Sequence, residues 1–142
     1  MIGGEGVQYG GRWERGADDI YNITIRNVLA KCLGGHGIVR LLNQDGVNMY
    51  NIIVRDIVDT AVGDEPRAQA TVRIGDIRFY KQRRSQMGEM RNILVDGVMA
   101  KGKVAVWIKG PLCDSAIRNV FTETPQTKRY DTSAPTERVI LE

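Results

Sequence analysis

Four residues that could bind or orient a ligand recur at nearly equal intervals. Gln8, Arg40, Arg73 and Trp107 each follow a valine, and the valines 7, 39, 72 and 106 lie 32, 33 and 34 residues apart. Arginine binds carboxylates, often with two parallel hydrogen bonds. An exposed tryptophan offers a flat apolar face on which a sugar ring can lie. Lys109 stands two residues past Trp107 and adds another cation. The only histidine, His36, sits between glycines in "GGHGIVRLL" (34–42), four residues before Arg40. It is the one side chain whose ordinary pKa suits proton transfer near neutrality. Together these residues suggest a surface for an acidic polysaccharide, with His36 at its entrance. The plainer alternative is that they decorate a solvated sheet face.

Such a row forms only if the chain returns to the same lateral position after each interval. The apolar runs are short, β-branched and alternating, as in "IYNITIRNV", "MYNIIVRDI" and "ATVRI". That pattern indicates strands and not helices. A second repeat runs between the valines. Ile25-Arg26-Asn27-Val28, Val54-Arg55-Asp56-Ile57, Val95-Asp96-Gly97-Val98 and Ile117-Arg118-Asn119-Val120 share one pattern. Upstream of these stand Asn22, Asn51, Asn92 and, in the fourth, Asp114. Two strand types therefore alternate, each recurring with its own kind.

The expected fold is all-β: a right-handed parallel β-helix of about four coils with projecting loops. Each coil adds one strand to each sheet, about 4.8 Å along the axis. Val7, Val39, Val72 and Val106, and likewise Ile25, Val54, Val95 and Ile117, should stack inward. Asn27, Asp56, Gly97 and Asn119 suit a corner at positive φ. Asn22, Asn51 and Asn92 should form an amide ladder. The coils should occupy 1–124, with 59–69 and 80–90 projecting as loops and 125–142 an irregular tail that closes with a short "RVILE" strand. Strand alternation turns Gln8, Arg40, Arg73 and Trp107 outward. Tyr21 and Tyr50 should stack, and Cys32 and Cys113, about three coils apart, should be small core fillers and not a disulfide. The first coil lacks a visible cover, so either further coils or a second copy should close it.

Composition narrows the function. Lys plus Arg is 20 against 17 acidic residues in 142, a net charge of +3. That is too even for a nucleic-acid footprint. No apolar run reaches the roughly 18 residues of a membrane helix. No signal peptide, cofactor loop, metal-ligand spacing or nucleophile triad is visible, so no cofactor or metal is expected.

"NITIRNVLAKCLGGHGI" (22–38), followed one coil on by "ATVRIGD" (70–76), resembles the polygalacturonase-type glycoside hydrolases of the pectin-lyase-like superfamily. Gly35-His36-Gly37 matches the family's G-H-G, and Arg73-Ile74 the start of its R-I-K. The resemblance implies a β-helix that cuts pectin-like polymers with inversion, working outside the cytoplasm. It assigns catalytic roles to His36 and to Glu5, which falls with Gly4 where the family places two aspartates. It assigns substrate contacts to Gln8, Arg40, Arg73, Trp107 and Lys109. The departures are definite: Gly75 replaces the lysine of R-I-K, and the N-T-D coil is absent. Inverting hydrolysis needs two carboxyl groups about 6.5–9.5 Å apart, and only Glu5 lies on that face. The expectation is a fragment or a degenerate member without hydrolase activity of its own. The alternatives are a non-catalytic β-helix that binds polysaccharide or self-assembles, and a lyase using Arg73 and Lys109.

Overall fold

The computed structural model describes residues 2–3, 19–32, 36–43, 47–75 and 88–142. Among them there are ten strands and no helix. The odd strands form one parallel sheet: β1 (Ile2–Gly3), β3 (Gly37–Leu42), β5 (Ala70–Ile74), β7 (Val104–Ile108) and β9 (Lys128–Thr132). The even strands form a second parallel sheet: β2 (Ile20–Ala30), β4 (Met49–Asp59), β6 (Met90–Ala100), β8 (Leu112–Thr122) and β10 (Thr136–Leu141). Both sheets follow chain order, so each return of the chain lays a new strand beside the previous one of its kind.

The inward rows are those the repeat indicates. Val39, Val72 and Val106 are neighbours in the first sheet. Ile25, Val54, Val95 and Ile117 are neighbours in the second. They meet in one apolar core with Leu41, Ile74, Ile108, Ile52, Ile93 and Met90. Each fully buried aliphatic side chain of this size contributes about 1.5–3 kcal/mol. Val7 lies outside the described residues. The strand found beside β3 is β1, with Ile2 next to Leu41.

The long even strands bend at two fixed places. Asn22, Asn51, Asn92 and Asp114 have φ of 56°, 55°, 50° and 46°. Five residues on, Asn27, Asp56, Gly97 and Asn119 have φ of 56°, 53°, 80° and 55°. Asn, Asp and Gly tolerate this left-handed region best. Each such residue interrupts the alternation, so β4 buries Met49, Ile52, Val54, Ile57 and Asp59. The amide ladder is present: Asn51 Nδ2 donates to Asn22 Oδ1 at 3.2 Å, and Asn92 Nδ2 to Asn51 Oδ1 at 3.3 Å. The Tyr21 and Tyr50 rings stack, with centroids 5.0 Å apart and planes 5° from parallel.

Three expectations need correction. The segment 125–142 is not an irregular tail: β9 pairs with β7 and β10 with β8, so each sheet has five strands where about four coils were expected. Its exposed pattern reflects a terminal strand, whose outer edge meets no further strand of the sheet. Cys32 and Cys113 are only half-buried, so they are not core fillers. Cys113 faces outward in the β8 pattern and its thiol donates to Glu89 at 3.4 Å, which together with burial raises its pKa. Finally, the 59–69 loop is partly anchored. Ala61 and Ala68 are buried, and Glu65 accepts from Val62 N at 2.8 Å and pairs with Lys31. Of the second expected loop, residues 80–87 lie outside the described residues, and Met90 already belongs to β6.

Candidate functional site

The outer row of the first sheet is assembled by register. Arg40, Arg73 and Trp107 are direct neighbours on β3, β5 and β7, and Asp131 on β9 continues the row. The intervening residues Val39, Leu41, Val72 and Ile74 belong to the core, so alternation puts the row on the opposite face. It is not an open cationic surface, however. Arg40 is 6% exposed and Arg73 8%, and Thr71 beside Arg73 is fully buried. Trp107, its neighbour Asp131 and Lys109 are half-exposed. Spacing places these side chains on a face; what lies over that face is decided by tertiary packing.

Trp107 is the centre of the site. The Arg73 guanidinium carbon lies 5.1 Å from its ring centroid and Lys109 Nζ 4.5 Å. Cations at such distances are attracted by the electron-rich ring face. The indole Nε1 is buried with no acceptor among the described residues. Trp107 also lines a groove of about 790 Å³. The groove is walled by Arg67, Lys101, Lys103 and Lys128, with Glu123 and Asp131 between them. Lys101 pairs with Glu123 at 3.3 Å and Lys128 with Asp131 at 3.5 Å. Arg67 donates to Gly63 O at 3.0 Å, while its Nη1 is buried without an acceptor among the described residues. Lys103 is exposed and has no ion-pair partner among the described residues. The groove thus holds more cations than anions around one aromatic face.

His36 opens β3 and is exposed. Its Nδ1 lies 3.4 Å from Arg40 Nη1, and its carbonyl accepts from Gln69 N at 3.0 Å. Gln69 lines the groove, so His36 stands one strand from it. Glu5 and Gln8, with Gly4, lie outside the described residues. Gly75 has φ +79°, and a Cβ there would come within 2.5 Å of Gly110 and 3.1 Å of Asn43 Oδ1. No lysine fits at that corner. Asn43, fully buried, fills the corner and donates to Gly88 O at 2.7 Å.

The sequence reading missed Arg67, Lys101, Lys103, Lys128, Glu123 and Asp131. Lys128 and Asp131 were hidden by the expectation of a tail. Lys101 and Lys103 had a signal: "KGK" precedes the β7 strand at the point where Gln69 precedes β5 and His36 precedes β3. Among the described residues, no three His, Cys, Asp or Glu side chains converge to hold a metal. The chain matches no family model, no curated protein and no solved structure.

Proposed function

We propose that this chain is a right-handed parallel β-helix, similar in plan to the polygalacturonase-type hydrolases, that binds an acidic polysaccharide in the groove beside Trp107 without cutting it. Two parallel sheets built in chain order, with left-handed corners at equivalent positions, support the β-helix. The observation that carries the function is Trp107, with Arg73 and Lys109 against its ring, at the wall of a groove with four further cations. A sugar ring lies on the indole, and lysine and arginine meet the carboxylates of neighbouring units. Arg67, Lys103 and Lys109 supply charge, while the exposed His36 extends the surface toward the first strands, with the buried Arg40 beneath it.

Hydrolysis is the less supported reading, because both groove carboxylates face a lysine. An inverting enzyme needs one of the pair to deliver a proton to the leaving oxygen.

The test is a calorimetric titration with polygalacturonate oligomers and with neutral glucan oligomers of equal length. Binding to the acidic series alone is expected, weakened about tenfold or more in Trp107→Ala, as for loss of one stacked contact. No reducing ends and no unsaturated product should accumulate. Equal binding to the neutral series, or an undiminished Trp107→Ala, rejects the groove reading. Reducing ends would restore the hydrolase, and unsaturated product the lyase.

A further inference from the structure

The two sheets differ in their outer faces. Among the described residues, every large exposed apolar side chain except Val62 projects from an even-numbered strand. Three of them, Leu29, Met99 and Phe121, share one straight row with the half-buried Val58, as direct neighbours on β2, β6, β8 and β4. Leu29 is 71% exposed, Met99 55% and Phe121 59%. The row spans about 14 Å at the usual strand spacing. Two positions further along each strand runs a polar row of Lys31, Thr60, Lys101 and Glu123. Backbone bonds from Thr60 N to Ala30 O and from Glu123 N to Ala100 O keep this row in step with the apolar one.

We propose that this strip joins two copies of the chain, face to face, about a twofold axis parallel to the strands. That operation reverses the order of the rows. Leu29 of one copy meets Phe121 of the other, and Val58 meets Met99, so the larger side chain faces the smaller at each level. In the polar row, Lys31 meets Glu123 and Thr60 meets Lys101, each contact occurring twice. A twofold axis perpendicular to the strands would instead set Phe121 on Phe121 and carry the two polar rows to opposite sides, out of reach of each other. Charge and side-chain volume therefore choose the reversed order. Lys31 and Glu123 already pair within the chain, with Glu65 and Lys101, and the second copy turns each pair into a short network. The other exposed apolar residues, Ile53 and Ile140 among them, lie beyond the left-handed corner at Asp56, Gly97 and Asn119 and take no part.

None of the four apolar residues lines the groove, whereas Lys101 and Glu123 of the polar row form its edge, so the apolar variants test the dimer apart from the groove. Sedimentation equilibrium of the full chain under reducing conditions should return twice the 15.9 kDa chain mass. Phe121→Lys should weaken the dimer about thirtyfold or more, as for an interface hot spot, with an unchanged far-ultraviolet spectrum. Met99→Lys serves as the second variant if Phe121→Lys fails to fold. Lys31→Glu should weaken association, and Lys31→Glu combined with Glu123→Lys should restore it. A monomer at about 100 μM, well above the micromolar range of specific pairs, overturns the proposal. So does a trimer, a dimer indifferent to both lysine substitutions, or a double variant no stronger than Lys31→Glu.

Discussion

Asp96 shows what a single residue contributes where the repeat is broken. Arginine occupies its row on β2, β4 and β8, and Asp96 interrupts the arginines on β6. Its carboxylate accepts from Asn119 Nδ2 at 2.7 Å, Arg118 Nη2 at 3.1 Å and Arg55 Nη2 at 3.3 Å. The Asn119 bond, then Arg118, holds its pKa below the ordinary aspartate value. A carboxyl group with a lowered folded pKa stabilises the fold fully above its unfolded pKa, and loses that contribution as pH falls toward the folded one. Asp96→Asn should therefore cost about 1 kcal/mol at pH 7, in the range of one charged hydrogen-bond set with half-exposed arginines. The difference should shrink as pH falls below the ordinary aspartate range toward the lowered folded pKa, so it should be smaller at pH 3 than at pH 7. Urea unfolding at pH 7 and pH 3 checks both statements. Gly75 makes a second test at this scale. Gly75→Ala meets Gly110 and a positive φ and should cost about 1–3 kcal/mol, whereas Gly63→Ala, with φ +53° and open space around it, should cost only the backbone strain, about 1 kcal/mol.

At the scale of the element, the corners and the ladder are separable. Asn51 serves both, with φ 55° and an amide bonded to Asn22 and Asn92. Asn51→Gly keeps the backbone conformation and loses the amide bonds; Asn51→Ala loses both. The glycine variant should melt below wild type, and the alanine variant lower again by roughly 1 kcal/mol, the left-handed penalty of a Cβ. Equal melting of the two would mean that the corner carries no strain. The strands that sequence patterns revealed are those with apolar alternation, the edge strand β2 included, because each inward position must be apolar to fill a closed core. The β9 strand escaped, and β10 was legible only as the short "RVILE", because Lys128, Arg129, Thr136 and Glu137 are exposed there and leave few apolar positions to mark alternation. They are nonetheless structural. Tyr130 and Val139 pack on the core. Removing 125–142 should lower the melting temperature by about 5 °C or more, two kcal/mol or so at this chain length.

For the whole molecule, the two sheets present unlike outer surfaces. The strands β3, β5 and β7 bury nearly all of both faces and carry the cationic groove at their entrance, while the even strands leave an apolar strip exposed. The groove reading predicts that affinity for a polyanion falls steeply between low and high salt, since the cations around Trp107 act through screened charge; a titration at two ionic strengths measures it. The sequence by itself determined the local rules. Alternation set the inward rows, Asn, Asp and Gly set the corners, and equal spacing set which residues become neighbours, because each depends only on residue type and interval. Only the tertiary structure decided burial and company. Arg40 and Arg73 face away from the core as alternation requires, yet they are covered. Trp107 meets Lys101, Lys103 and Lys128 around one groove because segments 25 residues apart in the chain come to lie one strand apart in space. Nothing in the identity of a residue reveals what packs over it, since that depends on loops whose paths are set by closure of the whole chain.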